Sequence, residues 1–368
     1  MSSESTRYVY LDNVRVLAML FGLFVHAVNL GNFGWLNLLT PISDTFRMAL
    51  FFCISGFLGA MLLRRRGNDK FLRERLRTLL IPLISCLLIL NVATFILAYN
   101  FIYGKIDFND LLSAVRHSRN LNRGVFTWHL HLWFLFSLST YALLSPWLLN
   151  LIIFFYNSLD NLGKRSVIAP VVVTGSVIFL SLIFKTISFV SLSKFGYFPW
   201  LIEVTGRYLP FYCIGMILFE VQPLRENLIR PHIGIGAVIA LTWFLCIGEY
   251  VPSAAFDSVR HFLLPATRCY LTLAIMWAGL KFLNNESKTM DVLRRSIYTF
   301  YLFHYSLLYV AANLFVGVRD KPFIFFALIV SFAGVLAVSI HIFLIARSPL
   351  LLYLFNGRVT AGSDQKKP

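Results

Sequence analysis

Ten apolar runs, each long enough to cross a lipid bilayer, constrain this chain more than any other feature of its sequence. They fall at about 14–32, 44–63, 79–101, 129–154, 167–190, 201–219, 232–249, 261–280, 297–316 and 323–346. A membrane helix needs about 20 mostly apolar residues, and lipid leaves backbone polar groups no partner except the helix itself. Composition agrees: of 368 residues, 58% are hydrophobic and only 14% charged. A soluble domain carries about 25% charged residues. The expected fold is all-α: a polytopic integral membrane helical bundle with about ten transmembrane helices. Residues 1–350 are read as one membrane-embedded domain and 351–368 as a cytoplasmic tail with a disordered end. The polar start, MSSESTRYVYLDNVR, lacks the compact basic leader of a cleaved signal peptide, so the first run is read as a retained span.

Orientation follows from the basic loops. Of the 33 Lys and Arg residues, 20 fall on the side that carries both termini, eight on the opposite side and five within spans. Basic loops stay in the cytoplasm, which places both termini inside. The formal net charge of +16 is then explained by this bias and by contact with anionic lipid head groups, and nucleic acid is not an expected partner. The five cysteines, Cys53, Cys86, Cys213, Cys246 and Cys269, all sit in apolar stretches without a CxxC pair. They are expected to be small buried residues, not disulfides or metal ligands.

Ionisable residues inside spans carry the functional signal, because charge in a membrane is costly and commonly faces a bundle interior. Arg15 and His26 lie on the first run, eleven residues apart. That is about three helical turns, so both project from nearly one face, with His26 about 16 Å further along the axis. The plain alternative is a snorkelling arginine and a packed histidine. Arg47 opens the second run, His304 sits midway along the ninth, and His129 and His131 open the fourth. Two positions apart on a helix is about 200°, so those last two are not expected to clamp a single metal, and no metal site is expected. All 17 acidic residues lie outside span centres, with Asp12, Asp44, Glu203 and Glu220 nearest to them. Ion-coupled carriers commonly hold midplane carboxylates, so that class is disfavoured. Arg47, Arg207 and Arg268 are thereby left without evident acidic partners in their own helices. An anionic ligand, backbone carbonyls or the span-end acids would each satisfy them.

The same residues resemble the acyltransferase family 3 of integral membrane proteins. Arg15 and His26 in LDNVRVLAMLFGLFVH reproduce that family's Arg-x10-His. The likeness continues through FRMALFFCISGF, a basic loop running into IPL, HLWFL, YLPFYCIGMILF, YLFH and the tail SPLLLYLFNG. One segment departs from the pattern: where the family often shows Arg-x-x-Arg, RERLR supplies Arg73, Arg75 and Arg77 at a different spacing.

The resemblance implies a bacterial inner-membrane, multi-pass O-acyltransferase. It would move an acyl group from cytoplasmic acyl-CoA, either succinyl-CoA or acetyl-CoA, to a carbohydrate hydroxyl on the outer side. The members it is most similar to succinylate periplasmic glucans, so a periplasmic glucan is the expected acceptor, with glucan-biosynthesis accessory proteins as further partners beside the lipid bilayer. No tightly bound cofactor is expected. His26 is the expected general base, because an alcohol is a weak nucleophile at neutral pH and imidazole titrates in the useful range. An acyl-His26 relay is the other route. Arg47 is expected to orient the donor or stabilise an oxyanion. Arg15, Arg73, Arg75 and Arg77 are expected to hold the carrier's phosphates. Asp12, Trp133, His131, His304, Arg207 and Arg268 are read as lining the substrate or supporting those groups. Two other functions stay open: O-acetylation of a different surface polysaccharide or lipopolysaccharide, and transport or flipping of an anionic glycan or lipid.

Overall fold

The computed structural model describes residues 8–116, 127–158, 198–222 and 253–359, with a few isolated positions between them. Every regular element among the described residues is helical. In chain order these are α1 (Val9–Val28), a 3₁₀ turn (Gly34–Leu38), α2 (Leu39–Asp44), α3 (Arg47–Arg66), α4 (Asn68–Ser85), α5 (Asn91–Tyr103) and α6 (Phe108–Arg116). They continue with α7 (Trp133–Ser158), α8 (Phe198–Glu220), α9 (Ser253–Phe282), α10 (Lys288–Leu314), α11 (Pro322–Ile340) and α12 (Pro349–Asn356). Seven stretches among the described residues are long and apolar enough to cross a membrane: Val9–Val28, Gly34–Arg66, Asn68–Tyr103, Leu130–Phe154, Trp200–Glu220, Leu263–Phe282 and Pro322–Ile345. Each matches one expected run. The expected runs at 167–190 and 232–249 lie, apart from isolated positions, outside the described residues. The run at 297–316 is helical within α10, which is more polar than the seven and opens with Asp291, Arg294 and Arg295.

The chain divides into two compact units. The first comprises residues 1–15, 42–71 and 141–285; the second comprises 16–41, 72–140 and 286–368. In the first unit, α3 packs closely along α8, and glycine makes that approach possible. A Cβ on Gly56 would stand 2.0 Å from the Tyr212 carbonyl oxygen, and one on Gly215 would stand 1.8 Å from the Cys53 carbonyl oxygen. The two backbones therefore touch where FCISG meets YCIG. Lipid gives helices no hydrophobic reason to associate, so contact of this kind between small residues is what holds them together. Phe52 adds a face against Tyr208 and an edge against Tyr141, and Tyr212 shares a hydrogen bond with Ser145 at 2.8 Å. Asn13 closes the unit by donating its amide to the carbonyls of Leu283 (2.7 Å) and Asn285 (3.2 Å).

The second unit has its own core, in which Phe33, Phe300, Leu308, Phe325, Ile329 and Ala333 are all buried. Polar bonds fix how α5 sits on α10. Asn313 donates to the Leu97 carbonyl (2.9 Å) and accepts from Asn100 (2.8 Å). Thr94 and Ser306 lie 2.6 Å apart; Thr94 gives its proton to the Leu90 carbonyl, so Ser306 is the donor between them.

The segment SPLLLYLFNG folds into α12 through its own signals. The Ser348 hydroxyl accepts from the Leu351 amide, Pro349 takes the first helical position, and Gly357 ends the helix at φ +61°. Residues 351–356, expected to begin a tail, are thus the last turns of a helix whose Phe355 and Asn356 are buried. Thr299 donates to the Asn356 side-chain oxygen at 3.1 Å and stands 2.8 Å from Nδ1 of His341, so His341 supplies the proton of that second bond. A Cβ on Gly357 would stand 2.5 Å from the Arg77 carbonyl oxygen, and Tyr298 donates to the neighbouring Thr78 carbonyl at 2.8 Å. The chain's C-terminal helix therefore grips the basic segment of α4.

Candidate functional site

Three imidazoles and a phenol meet in the second unit. His26 is carried by the last turn of α1, and His304 and Tyr305 by the middle of α10. His131 stands in a 3₁₀ turn (Leu130–Leu132) just before α7. Ring centroids lie 5.2 Å apart for His26–His304, 5.3 Å for His131–His304, 5.1 Å for His26–Tyr305 and 5.1 Å for His131–Tyr305. His304 is buried and Phe300 stacks flat on it at 5.8 Å. Its Nδ1 sits 2.8 Å from the Tyr301 carbonyl and 3.1 Å from that of Phe300. A carbonyl only accepts, so Nδ1 carries the proton and, in the neutral ring, Nε2 holds the lone pair. The helix backbone thus fixes the tautomer of His304.

The turn bearing His131 is built at some cost. Leu130 adopts φ +46°, a left-handed conformation worth about 1–2 kcal/mol of strain for a residue with a side chain. Two bonds hold it there. Tyr301 donates its hydroxyl to the His131 carbonyl at 2.9 Å, and Asn91 donates its amide to the Trp128 carbonyl at 2.8 Å. This corrects one expectation: His129 and His131 do not share a helix, because Leu130 turns the chain and α7 begins only at Trp133. His129 is buried, with its Nδ1 2.9 Å from the Leu130 carbonyl. Among the described residues no group of three or more metal-ligating side chains is placed to hold an ion.

The other expected site residues divide by unit. Arg15 and Asp12 lie on α1, on the first unit's part of the helix, both half-buried. Because α1 is unbroken from Val9 to Val28, Arg15 and His26 keep their three-turn register. Arg47 opens α3 and is half-buried in the first unit. Arg73, Arg75 and Arg77 lie on α4 in the second unit; Arg73 is exposed and the other two are half-buried. Trp133 is half-buried at the start of α7, its ring edge-on to Phe134.

Arg207 and Arg268 are satisfied inside the first unit. Arg207 pairs with the buried carboxylate of Glu203, Nε to Oε1 at 2.7 Å, which overturns the expectation that its own helix offers it no acid. The two are four residues apart on α8, the spacing at which helical side chains meet. Arg268 donates Nε to the Asp44 carbonyl at 2.8 Å, at the C-terminal end of α2, and lies over the Tyr208 ring at 5.4 Å.

Tyr301 and Tyr305 are the site residues that the sequence did not single out. Both flank His304 in YLFHY, one turn before it and one residue after it, and that adjacency was the available signal.

The chain is similar to the glucans biosynthesis protein C of Escherichia coli strain K12, with 27% identity over 394 aligned positions covering 98% of this chain and 97% of the relative. The same protein from strain O6:K15:H31 matches to the same extent. No solved structure matches significantly. The acyltransferase domain profile matches residues 8–344, nearly the whole chain, and the protein belongs to that membrane acyltransferase family.

Proposed function

We propose that the protein is an inner-membrane O-acyltransferase that moves an acyl group, succinyl being the first choice, from cytoplasmic acyl-CoA to a hydroxyl of a periplasmic glucan. The observation that carries this reading is the cluster of His26, His131, His304 and Tyr305, held in the same unit as the basic segment Arg73–Arg77. The glucan is suggested by the names of the relatives, glucans biosynthesis protein C. The proposed topology keeps ten spans and both termini inside, on the distribution of basic residues.

In this scheme His26 takes the proton from the acceptor hydroxyl as its oxygen attacks the thioester carbonyl. A C–O bond forms and the carbonyl becomes an oxyanion. Collapse breaks the C–S bond, and the imidazolium returns its proton to the departing thiolate. Positioned acid–base chemistry of this kind contributes about 10²–10⁴-fold in rate. His304, its Nδ1 proton committed to the backbone, and Tyr305, edge-on to His26, hold that ring in place. Arg47 is assigned either to orienting the donor or to stabilising the oxyanion, where preorganised positive charge is favourable. Arg15, Arg73, Arg75 and Arg77 are assigned to the carrier's phosphates, which arginine binds in a bidentate manner. Acyl-CoA is a substrate here and no resident cofactor takes part. In the alternative route His26 itself takes the acyl group through a C–N bond and passes it to the sugar.

Purified protein in vesicles, given labelled succinyl-CoA or acetyl-CoA and a glucan, tests this directly. Acyl ester on the glucan, lost in His26→Ala, is the expected result. Glucan translocation without any ester would make the protein a carrier instead. Ester formation with acetyl-CoA alone would move the assignment to an acetyltransferase.

A further inference from the structure

A polar cavity of about 310 Å³ opens where α1 ends, lined by Val28, Asn29, Gly31, Asn32, Asn37 and Thr40. All six residues belong to the second unit, the one that holds the histidine cluster. The volume sits at the lower end of the range for small-ligand sites, about 300–1,000 Å³. Its chemistry is unusual for a chain this apolar: three carboxamides and a hydroxyl gather within twelve residues, with no charged group among the lining residues. Two of the amides are already organised. Asn37 donates to the Asn32 side-chain oxygen at 2.9 Å, that oxygen also accepts from the Gly34 amide at 3.3 Å, and the Asn37 oxygen accepts from the Phe33 amide at 3.3 Å. The loop is therefore pinned by its own side chains, with Phe33 driven into the core below it. The Trp35 indole, in the same 3₁₀ turn, is 68% exposed.

We propose that this cavity is the acceptor subsite, and that it binds a neutral glucose unit of the glucan through its hydroxyls. The inference rests on the acyltransferase reading above and adds to it the place where the sugar is held. Neighbouring sugar hydroxyls present a donor and an acceptor side by side, which a planar carboxamide matches with its NH₂ and C=O. An uncharged lining suits a neutral sugar and gives no grip to the carrier's phosphates, so donor and acceptor are separated by chemistry. Position agrees: Asn29 follows His26 by three residues, about 4.5 Å along the helix direction, so a sugar seated here has its hydroxyls within reach of the base's end of α1. With the N-terminus inside, this is the outer end of that helix. Trp35 supplies an apolar face for the C–H side of the ring.

The test separates glucan binding from turnover. Full-length protein in detergent is titrated with a short linear glucose oligomer in the absence of donor, and transfer is then measured with varied glucan and varied succinyl-CoA. Asn29→Ala and Thr40→Val are the working variants, since neither side chain takes part in the bonds that pin the loop; Asn32→Ala is the stronger variant, checked for folding by its melting temperature. The expected result is glucan binding weakened about tenfold, the loss of one good hydrogen bond, with the KM for glucan rising in parallel and the KM for succinyl-CoA unchanged within twofold. His26→Ala should bind the oligomer as the unaltered protein does while its transfer rate falls by about 10²–10⁴-fold. Wild-type binding in both Asn29→Ala and Thr40→Val would overturn the subsite. If the unaltered protein binds the oligomer in an Asn29-dependent manner yet never acylates it, the subsite stands and the acyltransferase reading falls.

Discussion

The two units of this protein differ in the buried polar groups they gather. In the first, three arginines are answered nearby: Arg207 by Glu203, Arg268 by the Asp44 carbonyl, and Arg64, at the exposed end of α3, by both oxygens of Glu220 at 2.9 and 2.8 Å. In the second, the buried Arg294 guanidinium also has an acid, Asp291, but three histidines pack against one another and against tyrosine. A guanidinium is permanently charged, so burial demands a fixed counter-group and the result is a rigid brace. An imidazole survives burial neutral and keeps the capacity to accept a proton. The contrast teaches that a charge within a span marks function only when its surroundings leave chemistry for it to do.

The largest effect that can break this contrast is His26→Ala. Transfer should fall by about 10²–10⁴-fold, the contribution of a positioned base, with the melting temperature little changed because His26 is only half-buried. A variant that keeps full turnover would return His26 to the status of a packing residue. Next comes the helix contact of the first unit. Gly215→Ala sets a methyl 1.8 Å from the Cys53 carbonyl oxygen, where backbone and not a flexible side chain must yield. Loss of folded protein from the membrane is expected, measured as monodisperse yield in detergent. Normal yield would mean that α3 and α8 are not in backbone contact.

Much of this was legible in the sequence, and the failures have physical causes. Arg-x10-His, read as two groups on one helical face, needed only the 3.6-residue turn, and α1 is indeed unbroken over Val9–Val28. Eight of the apolar runs are helical among the described residues. The Glu203–Arg207 pair is readable at i, i+4, and the span-end acids and backbone carbonyls left open as partners are the ones that Arg207 and Arg268 use. His129 and His131 were misplaced on one helix because nothing local announces that Leu130 takes a left-handed turn; bonds from Tyr301 and Asn91, far away in sequence, hold it there. The docking of α12 likewise depends on partners distant in sequence. Eight residues make a marginal helix alone, and its burial depends on α10.

Two smaller experiments sharpen the contrast further. Arg207→Met leaves the Glu203 carboxylate buried without its partner, and breaking a buried pair costs about 3–5 kcal/mol. Arg207→Met with Glu203→Gln should regain much of the lost thermal stability, and the protein that does fold should transfer acyl groups at the normal rate. A double variant that is stable but inactive would give Arg207 a place in the reaction and blur the division between the units.

The smallest expected effect tests whether the second unit's C-terminal helix serves the donor. Gly357→Ala meets two obstacles: a φ of +61°, costing about 1–2 kcal/mol for a residue with a Cβ, and the Arg77 carbonyl 2.5 Å from where that Cβ would stand. Relief requires α12 to back away from α4 by a fraction of an ångström, which shifts Arg75 and Arg77 but leaves α1 and the histidine cluster alone. The prediction is a two- to fivefold rise in the KM for acyl-CoA, equal to about 0.4–1 kcal/mol, with kcat and the KM for glucan unchanged. A fall in kcat at unaltered KM would instead couple α12 to the histidines through Thr299, which lies on α10 one helical turn and a residue before His304 and already bonds both Asn356 and His341. Either way the tail helix acts on one side of the reaction only, and the Michaelis constants say which.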